Sequence, residues 1–220
     1  MDDRRITLLA GHYGSGKTNI AVNLALDLKR RKDRVAIADL DIVNPYYRTI
    51  DSRKELEDAG IRLIVSPYAN TNLDAPAMPD EMYAVTDDPD LYSIIDVGGD
   101  DRGALALGRL TPKILKDDYA MLLVVNRFRP LTRTAEEVES IRREIEFSCG
   151  IPFTGIVNNS NLGAETTEET VLSSVRYGEE VSMLTGLPVV MTTIEEDLYD
   201  TLKDRVENLF PLKLQKRPAD

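Results

Sequence analysis

Apolar residues fall along this chain in short consecutive runs separated by longer amphipathic stretches. The runs are Ile6–Ala10, Val35–Ala38, Ile61–Val65, Leu91–Ile95, Met121–Val125, Phe153–Val157 and Val189–Met191. Several are apolar at consecutive rather than alternate positions. That pattern predicts strands buried on both faces, as in a parallel sheet covered by helices. Between the runs the period changes. Ile20, Leu24 and Leu28 recur every four residues with Ala21 and Ala25 beside them, and Val138, Ile141 and Ile145 form a second stripe. Both predict helices with one buried face. Leu198, Leu202, Val206 and Leu209 predict a third near the C-terminus. Thr134, Thr166 and Thr193 each precede a glutamate by three residues (Glu137, Glu169, Glu196), a capping-box pattern that predicts helix starts there.

Strand–helix alternation throughout predicts an α/β fold: a doubly wound, mostly parallel sheet of about seven strands with helices on both faces. The least regular stretch, Ser66–Asp90, holds Pro67, Pro76, Pro79 and Pro89 and reads as a surface excursion with a short helix near Asp80–Val85. No repeat or linker interrupts the pattern, so residues 1–220 read as one domain with a frayed tail from about Pro211.

One segment carries chemistry. Gly11-His12-Tyr13-Gly14-Ser15-Gly16-Lys17-Thr18 fits the phosphate-loop pattern G-x-x-x-x-G-K-[ST] and lies between a predicted strand and a predicted helix. A strand, a glycine loop and a helix in that order turn backbone N–H groups toward a phosphate at the helix N-terminus. Gly11, Gly14, Ser15, Gly16, Lys17, Thr18 and Asn19 are therefore the expected nucleotide contacts. Lys17 should reach the β- and γ-phosphates, and Thr18 should place its hydroxyl on Mg²⁺.

Ligands of such sheets bind beyond the carboxyl ends of the strands. Two predicted strands run into aspartates there: Asp39-Leu40-Asp41 and Asp96-Val97-Gly98-Gly99. An Mg-bound triphosphate needs a carboxylate near the metal and a group to orient the attacking water. Aspartates also cap loops after strands. Here, though, residues two apart in an extended chain share a side, so Asp39 and Asp41 could both face the phosphates.

With these segments in place, the chain resembles the deviant-Walker P-loop ATPases of the MinD/ParA class, the CobQ/CobB/MinD/ParA family, over residues from about 4 to 200. The resemblance implies ATP or ADP as ligand with Mg²⁺. It implies that Asp41 activates water beside Lys17, that Asp39 helps organise the metal site with Thr18, and that Asp96 is the Walker B aspartate. It also places Asn159, in Gly155-Ile156-Val157-Asn158-Asn159-Ser160, at the adenine-reading position; a plain post-strand turn is the other reading of this asparagine pair. The chain departs from the family at one point. His12 stands where members that dimerise around nucleotide carry a second lysine, and an imidazole is a weaker phosphate partner than a fixed cation. Arg48 and Arg102 are other cations near the expected switches.

Bulk properties narrow the rest. Net charge of −11 argues against nucleic acid and anionic membranes as partners. The single cysteine, Cys149, excludes an internal disulfide or a cysteine cluster within one chain, which weakens the metal-cluster and nickel-insertion roles of the family. No apolar run approaches the ~18 residues of a membrane span, and the charged N-terminus is unlike a signal peptide, so the cytoplasm is the expected compartment. Three functions stay open: a slow ATPase acting as a switch for a protein partner or as a homodimer, a metabolic enzyme of dethiobiotin-synthetase or CobQ type with a small-molecule substrate, and a nucleotide-gated scaffold.

Overall fold

A computed structural model describes residues 3–40, 49–65, 80–98 and 107–214. Among these residues eight strands form one sheet: β1 (Ile6–Ala10), β2 (Val35–Asp39), β3 (Arg62–Val65), β4 (Tyr92–Asp96), β5 (Tyr119–Val125), β6 (Gly155–Asn158), β7 (Val189–Glu195) and β8 (Leu209–Leu212). Their order is β3-β2-β4-β1-β5-β6-β7-β8, and every neighbouring pair is parallel. The two strands flanking β1 therefore both come later in the chain.

The consecutive apolar runs have the expected cause: both faces of the sheet are covered. In β1, Ile6, Leu8 and Ala10 point into one core and Leu9 into the other. β5 does the same, with Met121, Leu123 and Val125 on one side and Ala120, Leu122 and Val124 on the other. Each fully buried Leu or Ile contributes about 1.5–3 kcal/mol relative to exposure. Helices α1 (Lys17–Lys29) and α2 (Arg53–Asp58) cover the face lined by Leu9. The other face is covered by α3 (Ala84–Asp87), α4 (Thr111–Ile114), α5 (Ala135–Cys149) and α6 (Glu168–Thr185). The doubly wound α/β architecture is thus present, with eight strands rather than seven.

Local signals set the ends of α5 and α6, the two long helices of the second face. Thr134 caps α5 by the expected box: its hydroxyl accepts from the Glu137 N–H at 3.3 Å, and Glu137 accepts from the Thr134 N–H at 3.3 Å. Gly150, at φ 71°, stops the helix. α6 starts one residue later than expected. Thr167 is its cap, boxed with Thr170, while the Thr166 hydroxyl closes a turn on the Gly163 carbonyl at 2.6 Å. The short helix near Asp80–Val85 is present as a 3-10 turn, Asp80–Tyr83, followed by α3; residues 66–79 lie outside the described residues.

The C-terminal helix departs from expectation. Thr193 is in β7, not a cap. Only a 3-10 turn, Glu196–Leu198, and the short α7 (Tyr199–Leu202) follow. Asn208 then takes φ 53°, and Leu209 enters β8. The apolar period counted as one helical stripe is therefore split between a helix and a strand. Pro211 and Leu212, expected in a frayed tail, are part of that edge strand, and Leu212 is buried. Just past β8, the side-chain amide of Asn23 on α1 clamps the Lys213 backbone. It donates to the Lys213 carbonyl at 3.1 Å and accepts from its N–H at 2.9 Å. Among the described residues, no helix is long and apolar enough to cross a membrane.

Candidate functional site

The carboxyl ends of β1, β2 and β4 converge on the glycine loop. β1 runs straight into it, and three glycines let it turn: Gly11 at φ 150°, Gly14 at φ 75° and Gly16 at φ 94°. Two of these are also needed for space. A Cβ on Gly11 would lie 2.4 Å from the Val124 carbonyl oxygen, and one on Gly16 would lie 2.2 Å from Asn159 Nδ2. The loop is thus pressed against β5 on one side and the end of β6 on the other. Gly11→Ala should cost about 2–4 kcal/mol and lower Tm by roughly 5–15 °C, because the neighbour it meets is backbone. A thermal melt within about 2 °C of the parent would show that the approach is not so close.

Lys17 is buried at the first position of α1, and its ammonium donates to the carbonyls of Gly11 at 3.0 Å and His12 at 3.2 Å. The side chain is therefore folded over the loop, with its charge where a triphosphate would need it. Asn19, in the first turn of α1, is half-buried and accepts through its carbonyl from Asn23 Nδ2 at 2.8 Å. The Ser15 hydroxyl is buried and has no hydrogen-bond partner among the described residues. A buried, unmatched hydroxyl in a loop of this shape fits an anion as the missing acceptor.

The Thr18 hydroxyl donates to Asp96 Oδ2 at 2.6 Å, and Asp96 is fully buried. Asp39 and Asp96 are directly paired in the register of β2 and β4, so both carboxylates end their strands at one level. A hydroxyl and carboxylate oxygens are hard ligands of the kind Mg²⁺ takes alongside phosphate oxygens and water. The residues present fit that ion: Thr18 would supply a direct ligand, with Asp96 and Asp39 behind it. Among the described residues no group of three or more His, Cys, Asp and Glu gathers as a metal site. Asp41, Arg48 and Arg102 lie outside the described residues.

Asn159 is 5% exposed, and its amide spans the gap between the loop and β7: Nδ2 donates to the Ser15 carbonyl at 2.6 Å, and Oδ1 accepts from the Thr193 hydroxyl at 2.6 Å. Asn158 is directed elsewhere, donating to Ser174 of α6. The two asparagines therefore have separate structural partners. Thr193 has no local signature as a site residue; its role is set by a contact 34 residues away. His12 is half-buried, with Nδ1 3.0 Å from the Tyr13 carbonyl, and Tyr13 itself is exposed.

Known proteins match the chain in sequence or in fold. Among curated proteins, a mouse (Mus musculus) protein named cytosolic Fe-S cluster assembly factor NUBP2 is 25% identical over 209 residues, covering 83% of this chain and 74% of its own. Among solved structures, the cell division protein FtsY of Thermotoga maritima superimposes with TM-score 0.56 at 20% identity, over 87% of this chain and 62% of that one. Signal recognition particle 54 kDa protein of Aeropyrum pernix, solved in complex with GDP, gives TM-score 0.52 at 17% identity over 87% of this chain and 41% of its own. At those identities the solved structures share the fold, and the chain spans about three fifths or less of their length. The family model described as CobQ/CobB/MinD/ParA nucleotide binding domain matches residues 6–172, from β1 into α6, and the chain belongs to that family.

Proposed function

We propose that the protein is a Mg²⁺-dependent ATPase of slow turnover that works as a nucleotide switch for a protein partner. The observation that carries this reading is the Thr18–Asp96 hydrogen bond in line with Asp39, directly beneath a loop that holds Lys17 folded inward. A carboxylate level with the metal-binding hydroxyl is where a change at the γ-phosphate would be felt by the backbone that follows both strands. Asp41, two residues beyond Asp39, is the residue to which we assign orientation of the attacking water. NUBP2, by its name an assembly factor of the cytosol, supports a partner-dependent role and a cytoplasmic setting. Carriage of a cluster on these residues is less well supported. Cys149 is the one cysteine, and it is buried at the end of α5, where desolvation raises its thiol pKa.

His12, in place of the second loop lysine, favours an alternative in which ATP phosphorylates a small carboxylic acid, as in dethiobiotin-synthetase-like enzymes. Phosphate release separates the two readings. Under the switch reading, single-turnover release from ATP proceeds without added acid, stops when Mg²⁺ is chelated, and is unchanged by a panel of small carboxylic acids. ATP should displace a fluorescent nucleotide at least about tenfold better than GTP, since the family resemblance puts Asn159 at the adenine-reading position and its second amide hydrogen is left for a base. Equal or better competition by GTP would overturn the adenine assignment. Release that requires one of the acids would transfer the protein to the enzyme reading.

A further inference from the structure

We infer that Thr193, acting through Asn159, is a positioning residue of the phosphate loop; the inference rests on the nucleotide-binding reading above. The two side chains form a relay from the third strand beyond β1 to the loop itself. Thr193 is 2% exposed and donates its hydroxyl to Asn159 Oδ1 at 2.6 Å. Asn159 Nδ2 donates to the Ser15 carbonyl at 2.6 Å, while the Asn159 backbone N–H is fixed on the Val125 carbonyl of β5 at 2.8 Å. The orientation of the amide is determined by chemistry. A backbone carbonyl can only accept, so the NH₂ end must face Ser15, and the oxygen end must then face the Thr193 donor.

The consequence follows from the planarity of the peptide. In a trans peptide the carbonyl of one residue and the N–H of the next point in opposite directions. Holding the Ser15 carbonyl against Asn159 therefore turns the Gly16 N–H the other way, toward the hollow of the loop. Glycine leaves this peptide unusually free to rotate, because both signs of φ are open to it. Gly16 sits at φ 94° with no room for a Cβ beside Asn159 Nδ2. The amide clamp thus selects the one peptide orientation that presents a donor to an anion, and Thr193 holds the clamp in place from the other side. Asn161 Nδ2 also reaches Asn159 Oδ1, but at 3.2 Å, so it is a weaker hold than Thr193. This role concerns the phosphates and is independent of any contact Asn159 makes with a base.

The test uses a ligand with no base: inorganic tripolyphosphate with Mg²⁺, alongside Mg-ATP, titrated into the whole protein. Thr193→Val keeps the shape and removes the donor. It should weaken tripolyphosphate and ATP by the same factor, about 5- to 30-fold, and leave the ATP to GTP ratio unchanged. Thr193→Ser, which restores the donor, should return both affinities to within about twofold of the parent, a rescue that loss of packing alone would not give. Asn159→Ala should weaken tripolyphosphate at least as much, and adding Thr193→Val to it should cost nothing further, because the relay is already cut. Unchanged tripolyphosphate affinity in both Thr193→Val and Asn159→Ala would overturn the inference, as would single effects that simply multiply. A variant that loses ATP but keeps tripolyphosphate would give these residues to the base instead, and also overturn it. Failure of the parent to bind either ligand would sink the nucleotide reading itself, a result distinct from all of these.

Discussion

Lys17→Ala should lose nucleotide affinity by roughly 10²–10³-fold, about 3–4 kcal/mol, while the protein remains folded. The buried ammonium lies over the loop with its donors on the carbonyls of Gly11 and His12. A triphosphate would gain a charge-assisted contact from a cation that is already desolvated and already oriented, so little is lost to reorganisation on binding. Alanine removes the charge, and the site offers no second cation among the described loop residues 11–18 to replace it. Lys17→Arg should not restore binding, because a planar guanidinium cannot take up the compact position of an ammonium between two carbonyls. Calorimetric titration with Mg-ATP, with circular dichroism to confirm the fold, checks both variants. Parent-like affinity in Lys17→Ala would remove the phosphate-loop assignment altogether.

The second large effect is on turnover rather than binding. Asp41→Ala should bind Mg-ATP within a few-fold of the parent and hydrolyse it ~10²–10⁴-fold more slowly, the range expected for loss of a general base or water-orienting group. Asp96→Ala should behave differently. Asp96 accepts the Thr18 hydroxyl, so its loss loosens the metal ligand itself and weakens binding and turnover together. Comparing the two by equilibrium titration and single-turnover phosphate release separates activation of water from support of the metal. Parent-rate hydrolysis in Asp41→Ala would move the water-orienting role to Asp39 or to a residue of another chain.

Much of this was legible in the sequence because the signals are local. Consecutive apolar runs mark doubly covered strands, and the glycine loop is a contiguous motif. Strand ends were less legible. Asp39 and Asp96 are the last residues of β2 and β4, although their polarity suggested that each strand had already stopped. Side-chain polarity ends an apolar run, but the backbone ladder continues as long as partners remain in register. β8 carries no clear local signal, for a related reason. Leu209-Phe210-Pro211-Leu212 contains a proline, which counts against a strand. An edge position, paired on one side only, tolerates the missing N–H. The threonine–glutamate spacing at Thr193 fits a capping box as well as a strand end. What decides between them is a contact with Asn159 and pairing with Phe210, and neither lies within a local window.

The strand order has a consequence for how the chain comes to be folded during synthesis. β1 emerges first, yet its partners are β4 and β5, so the segment holding the glycine loop has no sheet neighbour until Tyr92–Asp96 has been made. The Asn23 clamp on Lys213 spans 190 residues and closes only after β8 has been made. At translation rates of about 5–20 residues per second, Asn23 waits roughly 10–40 s for its partner. The first helix of the nucleotide site thus acquires its final neighbours only once Lys213 has been made, and nascent fragments ending before β4 should hold neither a sheet around β1 nor a working phosphate site.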